Sequence, residues 1–326
     1  MEFVRTVIRS KVIAGSLYRQ ISALLCIYFI FAAISIYFNT GTDEGPILSH
    51  AAAIVSAGRY SLQGAMGITA DQNGNIYVAD SGNNRVVVFD KRGFARKIIG
   101  AKSKKSKAGY QFRFPMCLAL SGDNRLFVGS GTGQILVFDK NGNLLDTLPH
   151  EQDKLNLSTV RALAMTTDSS GNLYVSNGQK YQIVIFDSNG NLKLIFGKKG
   201  YLPGEMSFVN GIAVDEANRQ IVVLDSNNLR LEFFNFDGKY LSELNLNKSA
   251  ENLFVAPRGL AYNQEKRIFY VTETLLDKVI ALDERGNLVA QTNDVGLSYP
   301  HGIFMGPDKL LYVTNREGRE ISVLNP

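Results

Sequence analysis

Cysteine is scarce. The chain has two, Cys26 and Cys117, one in a long apolar run and the other in a short strand-like one, so a disulfide framework is excluded as the source of stability. Histidine is scarcer than a metal enzyme usually needs. His50, His150 and His301 are the whole supply, and a three-histidine zinc site would have to gather all of them. The sequence contains no G-x-S-x-G, H-E-x-x-H or C-x-x-C, so the common nucleophile and metal motifs are missing too. Uncharged runs are short, with one exception at Ile21–Phe38.

What is present is a repeat. Residues 66–100, MGITADQNGNIYVADSGNNRVVVFDKRGFARKIIG, read as four short strands separated by Gly-, Asn- and Asp-rich turns. A four-stranded meander of this size cannot bury both faces alone, so it requires neighbours like itself. They follow in register. The third-strand turn recurs at Asp90, Asp139, Asp187, Asn235, Asp283 and Asn325, at spacings of 49, 48, 48, 48 and 42 residues. A second-strand column runs Tyr77, Phe127, Tyr174, Val223, Tyr270 and Tyr312. Six such units predict an all-β, six-bladed β-propeller with four-stranded antiparallel blades. The sixth unit has only three strands before the chain ends, and Ala51–Ser56 is a strand-like run with no unit of its own. It is expected to supply the missing outer strand and close the ring.

Ile21–Phe38 is 18 residues without a charge, about 27 Å as a helix and close to a bilayer's hydrocarbon thickness. Arg5, Arg9, Lys11 and Arg19 precede it, and Asp43 and Glu44 follow. That asymmetry predicts a signal-anchor helix with its N-terminus in the cytoplasm and the propeller outside, in a periplasmic or extracellular space. A cleaved signal peptide would have a shorter apolar core ending in small residues, whereas this one ends in aromatics. The expected organisation is a basic cytoplasmic segment (1–20), the membrane helix (21–38), a linker (39–49) and the propeller (50–326).

The repeat resembles the NHL family of six-bladed propellers, whose pattern runs P-x-G-I-A-V-D and then G-x-I-Y-V-A-D-x-x-N-x-R-V-x-x-F. The first unit matches from Gly67 through Asp80, Asn83, Arg85 and Phe89, and the fourth through Asn210–Asp215, Asp225 and Arg230. The third and fifth are looser, with Asn177 and Gln182, then Glu273 and Lys278, in the Asp and Arg columns; the second departs most, with Gly129 and Gln134. Absence of tryptophan argues against the WD type of propeller. The resemblance implies the fold and leaves the function open. Some propellers of this kind are lyases or lactonases that hold zinc or calcium in the central channel, using converging histidines or carboxylates that this sequence does not supply; no cofactor and no metal is expected.

Asp80 with Arg85, and Asp225 with Arg230, are spaced to pin a tight loop by an ion pair rather than to catalyse. The D-x-N-G-N runs lack the glutamate that completes a calcium loop and read as hairpin turns. Two features remain for binding. The residue opening each inner strand should stand at the top mouth of the channel: Met66, Met116, Arg161, Asn210, Arg258 and His301. Two arginines, an amide and a histidine without a carboxylate would make that mouth cationic. Between Lys91 and Arg113, moreover, nine basic residues occur with no acid, including Lys102, Lys104, Lys105, Lys107 and Arg113. Residues 50–326 carry a net charge of +4, of which this stretch supplies +9, so the remainder is −5. The reading is a membrane-anchored scaffold or protein-binding module whose top face takes a protein or anionic polymer, with nucleic acid not expected. The alternative is a metal-dependent lyase or lactonase acting at the channel mouth, and a third reading is the sensor half of a larger complex.

Overall fold

Runs of four to seven β-branched, aromatic and aliphatic residues set the strands, the inner ones buried on both faces, and the turns between them are built by side chains. Asp71 accepts the amides of Asn73 and Asn75 and the Asn75 side chain at 2.8–2.9 Å. Asp139, Asp187 and Asp283 repeat the pattern two turns later in their own blades, each taking two turn amides and an asparagine side chain. These carboxylates are committed to holding hairpins, as their sequence context implied.

A computed structural model of the chain describes residues 47–100, 113–155, 157, 159–249 and 253–326. The apolar segment 21–38 lies outside the described residues, and among those described no helix is long and apolar enough to cross a membrane. Lys102, Lys104, Lys105 and Lys107 also lie outside them.

The chain first forms β1 (Ser49–Val55). Blade 1 is β2 (Ala65–Ala70), β3 (Ile76–Asp80), β4 (Arg85–Phe89) and β5 (Ala95–Ile99). Blade 2 is β6 (Pro115–Leu120), β7 (Leu126–Ser130), β8 (Ile135–Phe138) and β9 (Leu144–Leu148), and blade 3 is β10 (Ala162–Thr167), β11 (Leu173–Asn177), β12 (Gln182–Phe186) and β13 (Leu192–Phe196). Blade 4 holds β14 (Val209–Asp215), β15 (Gln220–Asp225), β16 (Arg230–Asn235) and β17 (Tyr240–Asn245), followed by the one-turn helix α1 (Leu246–Ser249). Blade 5 holds β18 (Pro257–Asn263), β19 (Ile268–Glu273), β20 (Lys278–Asp283) and β21 (Leu288–Gln291), and blade 6 holds β22 (Pro300–Met305), β23 (Leu311–Asn315) and β24 (Glu320–Asn325). Each blade is one four-stranded antiparallel sheet, and the sixth has the order β1-β24-β23-β22.

The ring therefore closes as the sequence predicted, with a strand that starts two residues earlier and ends one earlier than Ala51–Ser56. Ile54 sits opposite Ile321. It joins Tyr312, Ile321 and Val323 of blade 6 to Ile76, Val78, Val87 and Phe89 of blade 1 in one buried cluster. Ser56 completes the join by donating to Arg319 O and accepting from the Leu62 amide. The residue just before each third-strand turn is fully buried in all six blades: Phe89, Phe138, Phe186, Phe234, Leu282 and Leu324. Burying each contributes about 1.5–3 kcal/mol, so this column is one apolar reason for the 48-residue period, beside the equally buried Val78, Val128, Val175, Val223, Val271 and Val313.

Hydroxyls stitch one blade's second strand to the next blade's first. Ser176 Oγ donates to Val209 O at 3.0 Å, Thr272 Oγ1 to His301 O at 2.8 Å and Thr314 Oγ1 to Met66 O at 2.7 Å. The inner strands approach closely enough that Gly259 and Gly302 could not carry a Cβ, which would fall 2.4 Å from His301 O and 2.1 Å from Met66 O. This close packing fixes the backbone of the residues at the channel mouth.

Candidate functional site

Every second residue of an innermost strand faces the channel. Three rings result, one from each level of the six strands. The top ring is Met66, Met116, Leu163, Asn210, Arg258 and His301. Two residues further along each strand come Ile68, Leu118, Met165, Ile212, Leu260 and Ile303, which line both the upper and the lower cavity and so form an apolar girdle between them. Below lies a cavity of about 320 Å³, bordered by the third ring and by Gln72, Glu216 and Gln264 from the bottom turns.

Five of the six expected mouth residues occupy the ring, and Arg161 does not. Leu163 stands in its place, while Arg161 is exposed two residues earlier, with its amide on Asn177 Oδ1 and its carbonyl accepting from Gly178. The reason is register. In every blade the ring residue precedes the first-turn residue by five, as with Met66 and Asp71 or Asn210 and Asp215, and Asp168 therefore points to Leu163. The residue after each ring position is small, Gly67, Cys117, Ala164, Gly211, Gly259 and Gly302, and taking Ala162 for Ala164 placed blade 3 two residues out of step.

The corrected ring is two-sided. Blades 1–3 contribute Met66, Met116 and Leu163, which pack together as a buried apolar cluster. Blades 4–6 contribute Asn210, Arg258 and His301. Asn210 donates to Ser226 Oγ at 2.9 Å, which leaves its side-chain carbonyl available. Arg258 lies over the Phe208 ring at 5.5 Å. Desolvation, then the positive charges of Arg258 and Arg316, push the His301 imidazole down to about 4, so it is neutral at pH 7 and presents one donor and one acceptor. Desolvation also lowers Arg258, with Glu273 acting against the shift and Arg316 adding to it.

Arg316 is a site residue that the sequence reading missed. It follows the end of β23, its amide donating to Tyr299 O two residues before His301. The same position in the other blades holds Ser81, Gly131, Gly178, Ser226 and Thr274, two of which seal the joint between blades: Ser81 donates to Pro115 O and Thr274 to Pro300 O. An arginine in a column of small residues was the signal. The second missed feature is a collar. Phe114, Phe208 and Tyr299, two residues before ring positions of blades 2, 4 and 6, are 37–44% exposed and adopt left-handed φ of 48–66°. Such a backbone costs bulky residues roughly 1–3 kcal/mol each. It is held by the preceding blade's loop, where Asn84 Oδ1 accepts the Phe114 amide and Asp277 Oδ1 accepts the Tyr299 amide, both at 2.6 Å.

Of the five basic connector residues expected to bind, Arg113 is described: it is exposed, and its carbonyl accepts from Gly131 and Ser130, while earlier in the run Arg96 is paired with Asp90. The two Asp–Arg pairs do pin loops. Arg85 Nε meets Asp80 at 2.6 Å and its other nitrogens reach the Arg59 and Ser61 carbonyls. Arg230 meets Asp225 at 3.3 Å, Glu243 at 2.7 Å and Glu232 at 3.3 Å, and donates to the carbonyls of Tyr201, Leu202 and Glu205. Buried Cys117 has its thiol pushed far up by desolvation, so it is an unreactive core residue. Among the described residues no group of three or more His, Cys, Asp or Glu side chains is placed to hold a metal ion.

Comparison with known proteins agrees with the fold. A family model described as a 6-bladed beta-propeller matches residues 152–299, and the NHL repeat model matches residues 62–89, which together support the NHL-type propeller. The chain is 27% identical over 144 residues to Protein brain tumor of Drosophila melanogaster, a match spanning 42% of this chain and 12% of that protein. A streptogramin B lyase structure superposes with a TM-score of 0.59 at 15% identity, covering 84% of this chain and 97% of the other. A chain of a nidogen/laminin complex gives 0.58 at 18% identity, over 74% and 84%. Virginiamycin B lyase from Staphylococcus aureus gives 0.55 at 17%, over 81% and 82%. At these identities the structural likenesses show the fold alone.

Proposed function

We propose that this NHL-type β-propeller is a membrane-anchored binding module whose top face receives a protein partner through an anionic surface. The observation that carries this reading is the polar half of the mouth: Asn210, Arg258 and His301 converge there, and among the described residues neither Arg258 nor Arg316 is ion-paired with a carboxylate. β5 ends and β6 begins on that face, so the connector bearing Lys102, Lys104, Lys105, Lys107 and Arg113 joins two of its points. A propeller carrying NHL repeats is a protein-interaction type of module, and the match to Protein brain tumor lies within that class. Fold likeness to two lyases, with no nucleophile paired to a base at the mouth among the described residues, gives the enzyme reading less support.

The anchor is Ile21–Phe38, with residues 1–20 in the cytoplasm and the propeller outside, supported by the charge asymmetry around that run. β1 runs bottom to top against β24, so the chain enters the propeller from below and the mouth lies at the opposite end. Crosslinking in intact membranes tests the binding face. Arg258→Glu with Arg316→Glu should reduce partner capture, and the bottom-turn change Glu265→Lys should leave it intact. Raising salt should weaken capture as the Debye length falls below roughly 8 Å. Capture that is indifferent to both the top-face change and salt would sink the proposal.

A further inference from the structure

We infer that the channel mouth is a socket for a single carboxylate presented beside a large apolar side chain, an acidic–apolar anchor on a protein partner, with Arg258 and Arg316 taking the carboxylate and Met66, Met116 and Leu163 taking its neighbour. This rests on the top-face reading above and names the chemistry recognised there.

Size decides what kind of ligand enters. The mouth cavity is about 60 Å³ and is floored by the apolar girdle, whereas a pocket for a free small molecule needs roughly 300–1,000 Å³. It therefore holds the carboxylate end of one side chain or chain terminus, and the apolar neighbour rests on the face at the rim of Met66, Met116 and Leu163. An anchor in a small, desolvated pocket is the usual energetic centre of a protein interface. The collar of Phe114, Phe208 and Tyr299 surrounds the ring with exposed aromatic surface, which suits a peptide better than a soluble anion.

Charge decides which end of the channel it enters. Arg258 and a neutral imidazole line the mouth, Arg316 is tied beside them through its amide on Tyr299 O, and the carboxylate in reach of Arg258, Glu273, is already occupied by the amides of Val255, Ala256 and Leu275. At the lower end Glu216 borders the cavity and Tyr262 donates to Asp215 and Glu284, so an acid would meet acids there. A bidentate carboxylate between two arginines is the geometry guanidinium groups favour. The apolar half of the ring cannot solvate that charge, so the neighbour it accepts must be apolar.

The test uses the full chain in nanodiscs and four fluorescent peptides with blocked ends. The first carries an internal Leu-Glu pair, the second Leu-Gln and the third Ala-Glu. A fourth carries Leu-Gln with its C-terminal carboxylate left free beside a leucine, which distinguishes a chain terminus from a side chain as the source of the acid. Binding should fall about tenfold or more from Leu-Glu to Leu-Gln, the effect of losing charge-assisted hydrogen bonds, and several-fold to Ala-Glu. Rescue by the fourth peptide identifies a terminus as an equal ligand; no rescue assigns the socket to a side chain. Arg316→Ala, an exposed position that the fold does not depend on, should abolish the Glu–Gln difference while leaving the thermal unfolding midpoint unchanged. Equal binding of all four peptides, or a Glu–Gln difference that survives Arg316→Ala, overturns the inference. If top-face changes still abolish partner capture in membranes, the binding-module proposal stands without it; if capture is also indifferent, both fall.

Discussion

Blades 1 and 4 carry the same five-residue Asp–Arg loop, and the two loops behave differently. In blade 1, Asp80 is matched by one guanidinium, the Gln63 amide and the Asn83 side chain, and Arg85 sits at the edge with 13% of its side chain exposed. In blade 4, Arg230 is buried and shared among Asp225, Glu232 and Glu243. One positive charge cannot fully satisfy two buried carboxylates, Asp225 and Glu232, while also reaching the exposed Glu243. Burial is the main cause that pushes Glu232 up to about 7, with Asp225 and Glu243 adding to the shift and the Gly204 amide and Arg230 opposing it. Among the described residues its Oε2 has no hydrogen-bond partner. The same motif is thus a near-surface clip in one blade and a strained buried cluster in the other. What differs is the company each keeps: blade 4 has Glu232 on the adjacent strand where blade 1 has Val87.

The largest way to break this comparison is Arg230→Ala. It strands two buried carboxylates and frees the connector carbonyls of Tyr201, Leu202 and Glu205, and should cost about 3–5 kcal/mol at neutral pH. Because Asp225 and Glu232 both have raised proton affinity, the cost should shrink as pH is lowered, which denaturant unfolding across pH would show. A penalty that is flat with pH would mean the carboxylates do not titrate as a cluster.

Glu232→Gln sharpens the same contrast. The folded state retains the Glu232 proton above the pH at which the unfolded chain releases it, so its contribution is full below about 4.5 and declines as pH rises through about 7. The glutamine variant keeps the shape and removes the decline. Its unfolding free energy should therefore gain on the wild type between those pH values, by roughly 3 kcal/mol once both limits are passed. Parallel pH profiles for the two proteins would refute the assignment. The smallest effect belongs to Arg85→Ala in blade 1. Asp80 keeps two other donors, the Gln63 amide and the Asn83 side chain, so the cost should be about 1–2 kcal/mol. A loss equal to that of Arg230→Ala would erase the distinction between the blades.

Much of the architecture was legible in the chain because it depends on local chemistry. Turn aspartates, glycines and a buried residue before each turn repeat at nearly constant spacing, and the odd strand at one end has its complement at the other. The mouth was legible only in part. All six inner strands begin one residue before the ring, but in the sequence blade 3 offers alanine at both 162 and 164 where the other blades have one small residue after the ring position, so its top end is ambiguous by two residues. The bottom turn is the dependable anchor, and counting from it exchanges Arg161 for Leu163.

By itself, then, the sequence determined the number of blades, the closing strand and the loops that each Asp–Arg pair pins, since these follow from periodicity and from contacts within one unit. The two-sided mouth was decided by tertiary structure. Arg258, Arg316 and His301 belong to different blades and loops, and Met66 and Leu163 are nearly 100 residues apart. Only the closing of six inner strands around one axis brings the ring together beside Arg316, and only there do desolvation and the two arginine charges make the histidine neutral.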